Sequence, residues 1–232
     1  MSNTTSLPCQ VDLSWNYLGL GASKAIAEGI RVSRSLTRLL IKNNNIGDEG
    51  CIALAEAMQQ NDSHKIEELS LFNNQIGAAG AKSLAAMIAV SRFLTSVNVS
   101  MNDITGDGAQ QLADAALHKP SLESFCAIPL KELRADSVSE LNLNNHVVGV
   151  PGALVIAHFL RVSYSLTCLR IGDNHIGDED CAALAEAMLQ NDSCKIEELG
   201  LSDNRIEVAG AKSLAAMIAV SRSLSKVFPS SF

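Results

Sequence analysis

An α/β solenoid, with one strand and one helix per turn, is the fold class this sequence predicts, and three observations predict it. The first is a repeat: at a period of about 28 residues the chain aligns VDLSWNYLG, LLIKNNNIG, LSLFNNQIG, VNVSMNDIT, LNLNNHVVG, LRIGDNHIG and LGLSDNRIE. The second is alternation inside each copy. Leu39 and Ile41, Leu69 and Leu71, Val97 and Val99, and Leu169 and Ile171 recur at every second place, the period of a short strand. The third lies just past each turn. Segments such as DEGCIALAEAM and AAGAKSLAAMI carry Leu, Ala and Met at three-to-four-residue spacing, so one stripe of a helix faces inward.

Each unit therefore reads strand, turn, helix. Asn16, Asn44, Asn74, Asn102, Asn174 and Asn204 all close their strands at the same place. Stacked carboxamides there are expected to bond the backbone of the adjoining turn and satisfy groups otherwise buried unpaired. His146 takes this place in the fifth copy. Just before it, PSLESFCAIPLKELRADS starts like a strand but has no room for a full helix, which predicts an abbreviated repeat near 122–137 with a turn near Pro129. The expected organisation is an N-terminal tail over 1–7, a single repeat domain over 8–228 and a tail over 229–232. SLSKVFPSSF begins another strand with no recognisable cap, so this end is expected to be covered by something else, or the chain to be a fragment.

A longer periodicity lies above the first. RVSRSLT at Arg31 returns as RVSYSLT at Arg161 and KIEELSL at Lys65 as KIEELGL at Lys195, an offset of 130 residues. AGAKSLAAMIAVSR, beginning at Ala79 and again at Ala209, is the helix of one unit carried along when a block was duplicated.

The unit LxxLxLxxNxIGxxGAxxLAxAL resembles the leucine-rich repeats of the ribonuclease-inhibitor subfamily, also seen in nucleotide-binding oligomerisation-type immune receptors and the Ran GTPase-activating protein. The resemblance runs from about Pro8 to Phe228. It implies a leucine-rich-repeat solenoid, a horseshoe with a parallel sheet on its concave face and helices on its convex face.

Composition narrows the function. A net charge of −7 argues against a polyanionic partner, because phosphate binding needs a concentrated Lys/Arg surface. Nucleic acid is not expected. MSNTTSLPCQ has no basic start leading into an apolar stretch, and the longest apolar run, LAAMIAV, is far short of the ~18 residues of a membrane span. A cytoplasmic protein with no membrane contact is expected, and its six cysteines are then expected to be reduced thiols. Cys51 and Cys181 stand where other copies have Ala81, Ala109, Ala153 and Ala211, so they read as small buried groups. The Asn-x-Ser/Thr triplets at Asn3, Asn61, Asn98 and Asn191 would serve as glycosylation sites only in a secreted chain.

Chemistry-bearing motifs are sparse. GLGASK at Gly19 lacks the four-residue spacing of a phosphate loop and aligns with IGDEGCIAL as an ordinary turn-to-helix junction. None of His64, His118, His146, His158 and His175 pairs with Cys, Asp or Glu at a zinc-site spacing. Cys126 and Cys168 are expected as two partly exposed thiols facing the concave surface. The acidic helix starts at Asp48 and Asp178 suit the positive end of a helix dipole. No nucleophile, base and orienter converge, so no enzyme and no cofactor are expected.

Binding another protein is then the expected function, with a monomer unless the C-terminal end is capped by a partner. Parallel strands expose alternate side chains on a continuous floor, where recognition can change without disturbing the inward Leu, Ile and Asn. The expected contact residues are Arg38, Leu40, Lys42, Glu68, Ser70, Phe72, Asn98, Asn142, Arg170 and Glu198. The duplication supports this choice. The two blocks differ at Arg38 against Cys168, Leu40 against Arg170, Lys42 against Gly172, Ser70 against Gly200, Phe72 against Ser202 and Gln75 against Arg205, while the helix has not changed. The alternatives are a regulator of a small GTPase, implied by the family resemblance, and a structural subunit of a larger assembly.

Overall fold

The structure is a computed structural model that describes residues 9–228; both expected tails and Pro8 lie outside the described residues. Contacts divide the chain into two compact units, Met1–Glu123 and Ser124–Phe232.

The first unit runs β1 (Cys9–Asp12), α1 (Gly19–Val32), β2 (Leu36–Leu40), α2 (Gly47–Gln60), β3 (Glu68–Ser70), α3 (Ala78–Val90), β4 (Ser96–Asn98) and α4 (Gly106–Leu117). Its strands pair parallel in sequence order, with Arg38 opposite Glu68 and Glu68 opposite Ser96. Each helix packs on the next. The alternating residues Leu39, Ile41, Leu69, Leu71, Val97 and Val99 are buried, as are Leu54, Leu84 and Leu112 on the inward helix stripes. Burial of each such side chain contributes about 1.5 to 3 kcal/mol, which is how strands of three to five residues are held in place. Helix spacing is set by a small residue. A Cβ on Gly108 would lie 2.6 Å from the Ala78 Cα, so α4 approaches α3 closely only because position 108 is glycine.

The second unit begins with an antiparallel hairpin, β5 (Ser124–Phe125) and β6 (Ile128–Pro129), and continues into α5 (Leu130–Arg134). The hairpin turns at Cys126 and Ala127, with φ of 49° and 65°, the left-handed pair that two-residue hairpins require. The chain thus reverses ahead of Pro129, and Pro129 instead stands directly before the five-residue helix. Full repeats then resume: β7 (Glu140–Asn142), α6 (Gly149–Val162), β8 (Cys168–Arg170), α7 (Asp178–Leu189), β9 (Glu198–Gly200), α8 (Val208–Val220) and β10 (Lys226–Phe228), with β7 to β10 parallel in sequence order.

The strand-closing asparagines bond in two directions. Asn74 Nδ2 donates to Ile41 O at 2.6 Å, one repeat back, and to Phe72 O at 3.1 Å, while the Asn74 N–H donates to Asn102 Oδ1 at 2.8 Å. Asn44, Asn102, Asn174 and Asn204 likewise reach back to Leu13, Leu71, Leu143 and Ile171. Asn16, in the first described repeat, bonds only its own turn through Nδ2. His146 is exposed, and its ring nitrogen meets only Asn144 O, at 2.8 Å, so the fifth repeat contributes no rung.

A second ladder, at the opposite ends of the helices, is one that strand patterning does not reveal. Asn61 Nδ2 donates to Ile30 O and Ser33 O, both at 2.7 Å, and Asn191 Nδ2 to Leu160 O and Ser163 O, both at 2.8 Å. Two of the apparent glycosylation triplets therefore begin with residues that tie one helix end to the next. Asp48 and Asp178, at the acidic helix starts, also act between repeats, while Asp180 caps its own helix by accepting the Gly177 N–H at 3.1 Å. Asp48 Oδ1 accepts the N–H of Gly77 at 2.7 Å and of Gly80 at 2.8 Å, capping α3, and Asp178 Oδ1 accepts the Glu207 N–H at 2.7 Å ahead of α8.

Candidate partner-binding face

In each unit the outward places of the parallel strands form rows across the sheet. In the first unit one row is Gln10, Arg38, Glu68 and Ser96, and the next is Asp12, Leu40, Ser70 and Asn98. Lys42 and Phe72 stand one place beyond, where Trp15 N–H donates to Lys42 O and Asn43 N–H to Phe72 O, both at 2.9 Å. Arg38, Leu40, Lys42, Glu68, Phe72 and Asn98 are all half-buried on this face. Arg38 grips Glu68 with Nη2 at 3.0 Å from Oε1 and Nε at 2.7 Å from Oε2. With both side chains about a third or more exposed, that pair is worth at most about 1 kcal/mol.

Ser70 departs from expectation. It is 2% exposed and so is not an open contact residue, because a short side chain between Leu40 and Asn98 in its row lies below their tips. Ser70 Oγ and the equally buried Ser100 Oγ have no hydrogen-bond partner among the described residues, which is uncommon for buried hydroxyls. Asn98 Oδ1 accepts the Ser100 N–H at 2.9 Å and Asn142 Oδ1 the Asn144 N–H at 3.1 Å, so both amides are partly engaged in their own turns.

The second unit carries a different face on the same frame. Its first row is Glu140, Cys168, Glu198 and Lys226, and its second Asn142, Arg170, Gly200 and Phe228. Arg170 reaches from the second row into the first, with Nε 2.6 Å from Glu198 Oε1 and Nη1 3.8 Å from Glu140 Oε2. Burial acts to raise Glu198, but hydrogen bonds from Arg170 and Cys168 outweigh it and hold the carboxyl below the usual range. Burial and the bond to Glu198 push the Cys168 thiol up. Cys168 is 6% exposed and Cys126 fully buried, so neither is the partly exposed thiol expected. In this cluster the charged groups bond one another, and Arg170 and Ser202 stand where the first unit has the apolar Leu40 and Phe72.

Away from the sheets, clefts of about 350 Å³ and 430 Å³ lie at equivalent helix ends. The first is lined by Met58, Asn61, His64, Met87, Arg92 and Phe93; the second has Cys194 and Ser223 in place of His64 and Phe93. His64 packs edge-on to Phe93, with ring centroids 6.1 Å apart, and its Nδ1 accepts the Ile66 N–H at 3.1 Å. Burial lowers its pKa, against a smaller upward pull from Asp62. Among the described residues no group of three or more His, Cys, Asp or Glu is placed to hold a metal ion, and no helix is long and apolar enough to cross a membrane.

A family profile described as Leucine Rich repeat matches residues 32–55, 62–85, 90–113, 163–185 and 192–215, more than half of the chain. The chain belongs to the leucine-rich-repeat family. Its curated relatives among leucine-rich-repeat proteins include human "NACHT, LRR and PYD domains-containing protein 3", 27% identical over 77% of this chain and 16% of that protein. Pig ribonuclease inhibitor is 25% identical over 93% of this chain and 43% of its own length. The Arabidopsis thaliana protein "RAN GTPase-activating protein 2" is 27% identical over 48% of this chain and 20% of its own. This leucine-rich-repeat chain thus spans less than half the length of each of these relatives.

Proposed function

We propose that the protein is a non-enzymatic, cytoplasmic interaction scaffold that binds a partner protein through the sheet face of its first unit. One observation carries the choice of unit. Leu40 and Phe72 sit there beside Lys42 and the Arg38–Glu68 pair, an apolar centre with a charged border, while the same places in the second unit hold Arg170, Ser202, Gly172 and Cys168. Of the three buried hydroxyls without partners among the described residues, Ser70 Oγ and Ser100 Oγ lie on the same face, and Ser91 Oγ lies at the end of α3.

The test compares the intact chain with Phe72→Ala and Ser202→Ala in quantitative capture from native extract, and then by titration of the captured partner. Phe72→Ala is expected to weaken binding by about 1 to 3 kcal/mol and Ser202→Ala to leave it unchanged. Binding that survives Phe72→Ala but is abolished by Lys82→Ala or Lys212→Ala would move the site to the helical face.

A second reading, a subunit of a larger assembly, is favoured by α8. Its exposed Ile218, Ala211 and Ala215 repeat residues that α3 buries as Ile88, Ala81 and Ala85, so this face is built to receive another helix. Sedimentation across a concentration range tests it; a constant monomer mass argues against it.

A further inference from the structure

Just past each strand, one residue takes a left-handed backbone in every full repeat: Trp15, Asn43, Asn73, Met101, Asn145, Asp173 and Asp203, with φ between 51° and 65°. Asn and Asp tolerate this conformation and bulky side chains do not. Five of these places hold Asn or Asp; the exceptions, Trp15 and Met101, are both in the first unit. Two places on, Tyr17 (φ 50°) shares a left-handed backbone with Gln75, Val147 and His175, so the frame itself sets that conformation and Tyr17 stands out by its exposed ring alone. None of the three is excused by packing, since Trp15 is 75%, Tyr17 87% and Met101 37% exposed. Unfavourable backbone combined with exposed apolar side chains points to a use outside the fold.

The residues between them complete a strip. Asn73 Nδ2 donates to Asn43 Oδ1 at 2.8 Å and Gln75 Nε2 to Asn45 Oδ1 at 3.2 Å, so two rungs of carboxamide lie between the Trp15–Tyr17 end and the Met101 end. Three strand spacings of about 4.8 Å make the strip ~14 Å long, the reach of four or five residues of a polyproline-type chain at ~3.1 Å each. It is one chain wide. Asp103 is its one formal charge, so neither a phosphate nor an acidic peptide finds a cation there.

Resting on the reading that the protein binds another protein, we propose that this loop edge holds an extended, proline-rich segment of the partner. Aromatic faces receive proline rings, and indole N–H, phenol O–H and carboxamide N–H groups donate to backbone carbonyls that a polyproline helix leaves unpaired. The edge is distinct from the sheet floor at Leu40 and Phe72.

Trp15 is the only tryptophan in the chain, so its fluorescence reports this edge alone. The intact protein is titrated with a blocked twelve-residue peptide of repeated Pro-Pro-Leu, with a Gly-Ser peptide of equal length, and with a neutral oligosaccharide. A saturable blue shift with the proline peptide alone supports the proposal. No shift, or a shift with the oligosaccharide instead, overturns it. Met101→Asn and Trp15→Asn restore the residue common at these places, so both are expected to keep or raise the thermal midpoint while weakening peptide binding, measured by calorimetry, about tenfold or more. Unchanged peptide affinity in both variants also overturns the proposal. Phe72→Ala separates the two readings: if it abolishes capture of the partner while Trp15→Asn does not, the sheet-face site stands and the loop-edge site fails.

Discussion

Helices α3 and α8 carry the same fourteen-residue stretch, AGAKSLAAMIAVSR, and live in different surroundings. In α3, under α4, Ala81, Leu84 and Ile88 are fully buried; in α8, Ile218 is 44% exposed and Gly210 and Met217 are the buried residues. A stripe of Leu, Ala and Ile therefore states which face seeks cover without stating whether cover exists. Burial belongs to the neighbour as much as to the sequence. The sheets teach the converse: the same frame, with a few outward residues changed, carries an apolar centre in one block and a closed charge cluster in the other.

The sharpest way to break this comparison is to make one change in both helices. Ile88→Ala removes a fully buried side chain and should cost about 2 to 5 kcal/mol, whereas Ile218→Ala should cost less than about 1 kcal/mol. Equal shifts in urea midpoints would mean that α8 is covered in solution.

Next in size is the ladder. Asn74→Ala removes bonds to Ile41 O and Phe72 O in a buried site, so a loss of about 1 to 3 kcal/mol is expected. His146→Ala touches an exposed ring that bridges no repeat, and should change stability by less than about 0.5 kcal/mol. Coincident midpoints for the two variants would sink the distinction between rung and gap.

A smaller effect separates the two helix-end clefts by pH. His64 is held below its ordinary pKa by burial, so the unfolded chain takes up a proton more readily than the folded one. The stability that neutral His64 contributes is complete above the ordinary histidine value, about 6.5, and is lost as pH falls toward the lowered folded value. Cys194 takes its place in the second block, and there no such loss arises. Hydrogen exchange should show the Ile66 amide losing protection as pH falls below the ordinary histidine value while that of Ile196 holds. Parallel behaviour would remove His64 from the account.

The smallest expected difference lies between the paired cysteines. Burial pushes Cys181 up to about 11 and Cys51 still further, so both should resist labelling in the native protein at pH 8 while exposed Cys9 reacts. All six should react once the chain is denatured without reductant. A thiol that appears only after reduction would contradict the reduced state.

Strand, turn and helix were legible from the sequence because each rests on local periodicity: alternation at Leu39 and Ile41, the stripe around Leu84, the Asn at each strand end. The outward rows were legible for the same reason, since alternation assigns a face to Arg38, Leu40 and Glu68 as surely as it buries Leu39. Depth along a row was not, and Ser70 is covered because of what flanks it across strands, Leu40 and Asn98, each about one repeat away in sequence.

By itself, then, the sequence determined the repeated unit, its inward residues and the copied block, because each is written within one period. Tertiary structure alone decided what passes between periods. Asp48 caps the next helix rather than its own, Asn61 ties back to Ile30 and Ser33, and α8 shows the face that α3 hides. The physical reason is common to all three: a side chain at one place in the repeat finds its partner one repeat away, and only the stacking of units fixes which backbone groups come within the ~3 Å of a hydrogen bond.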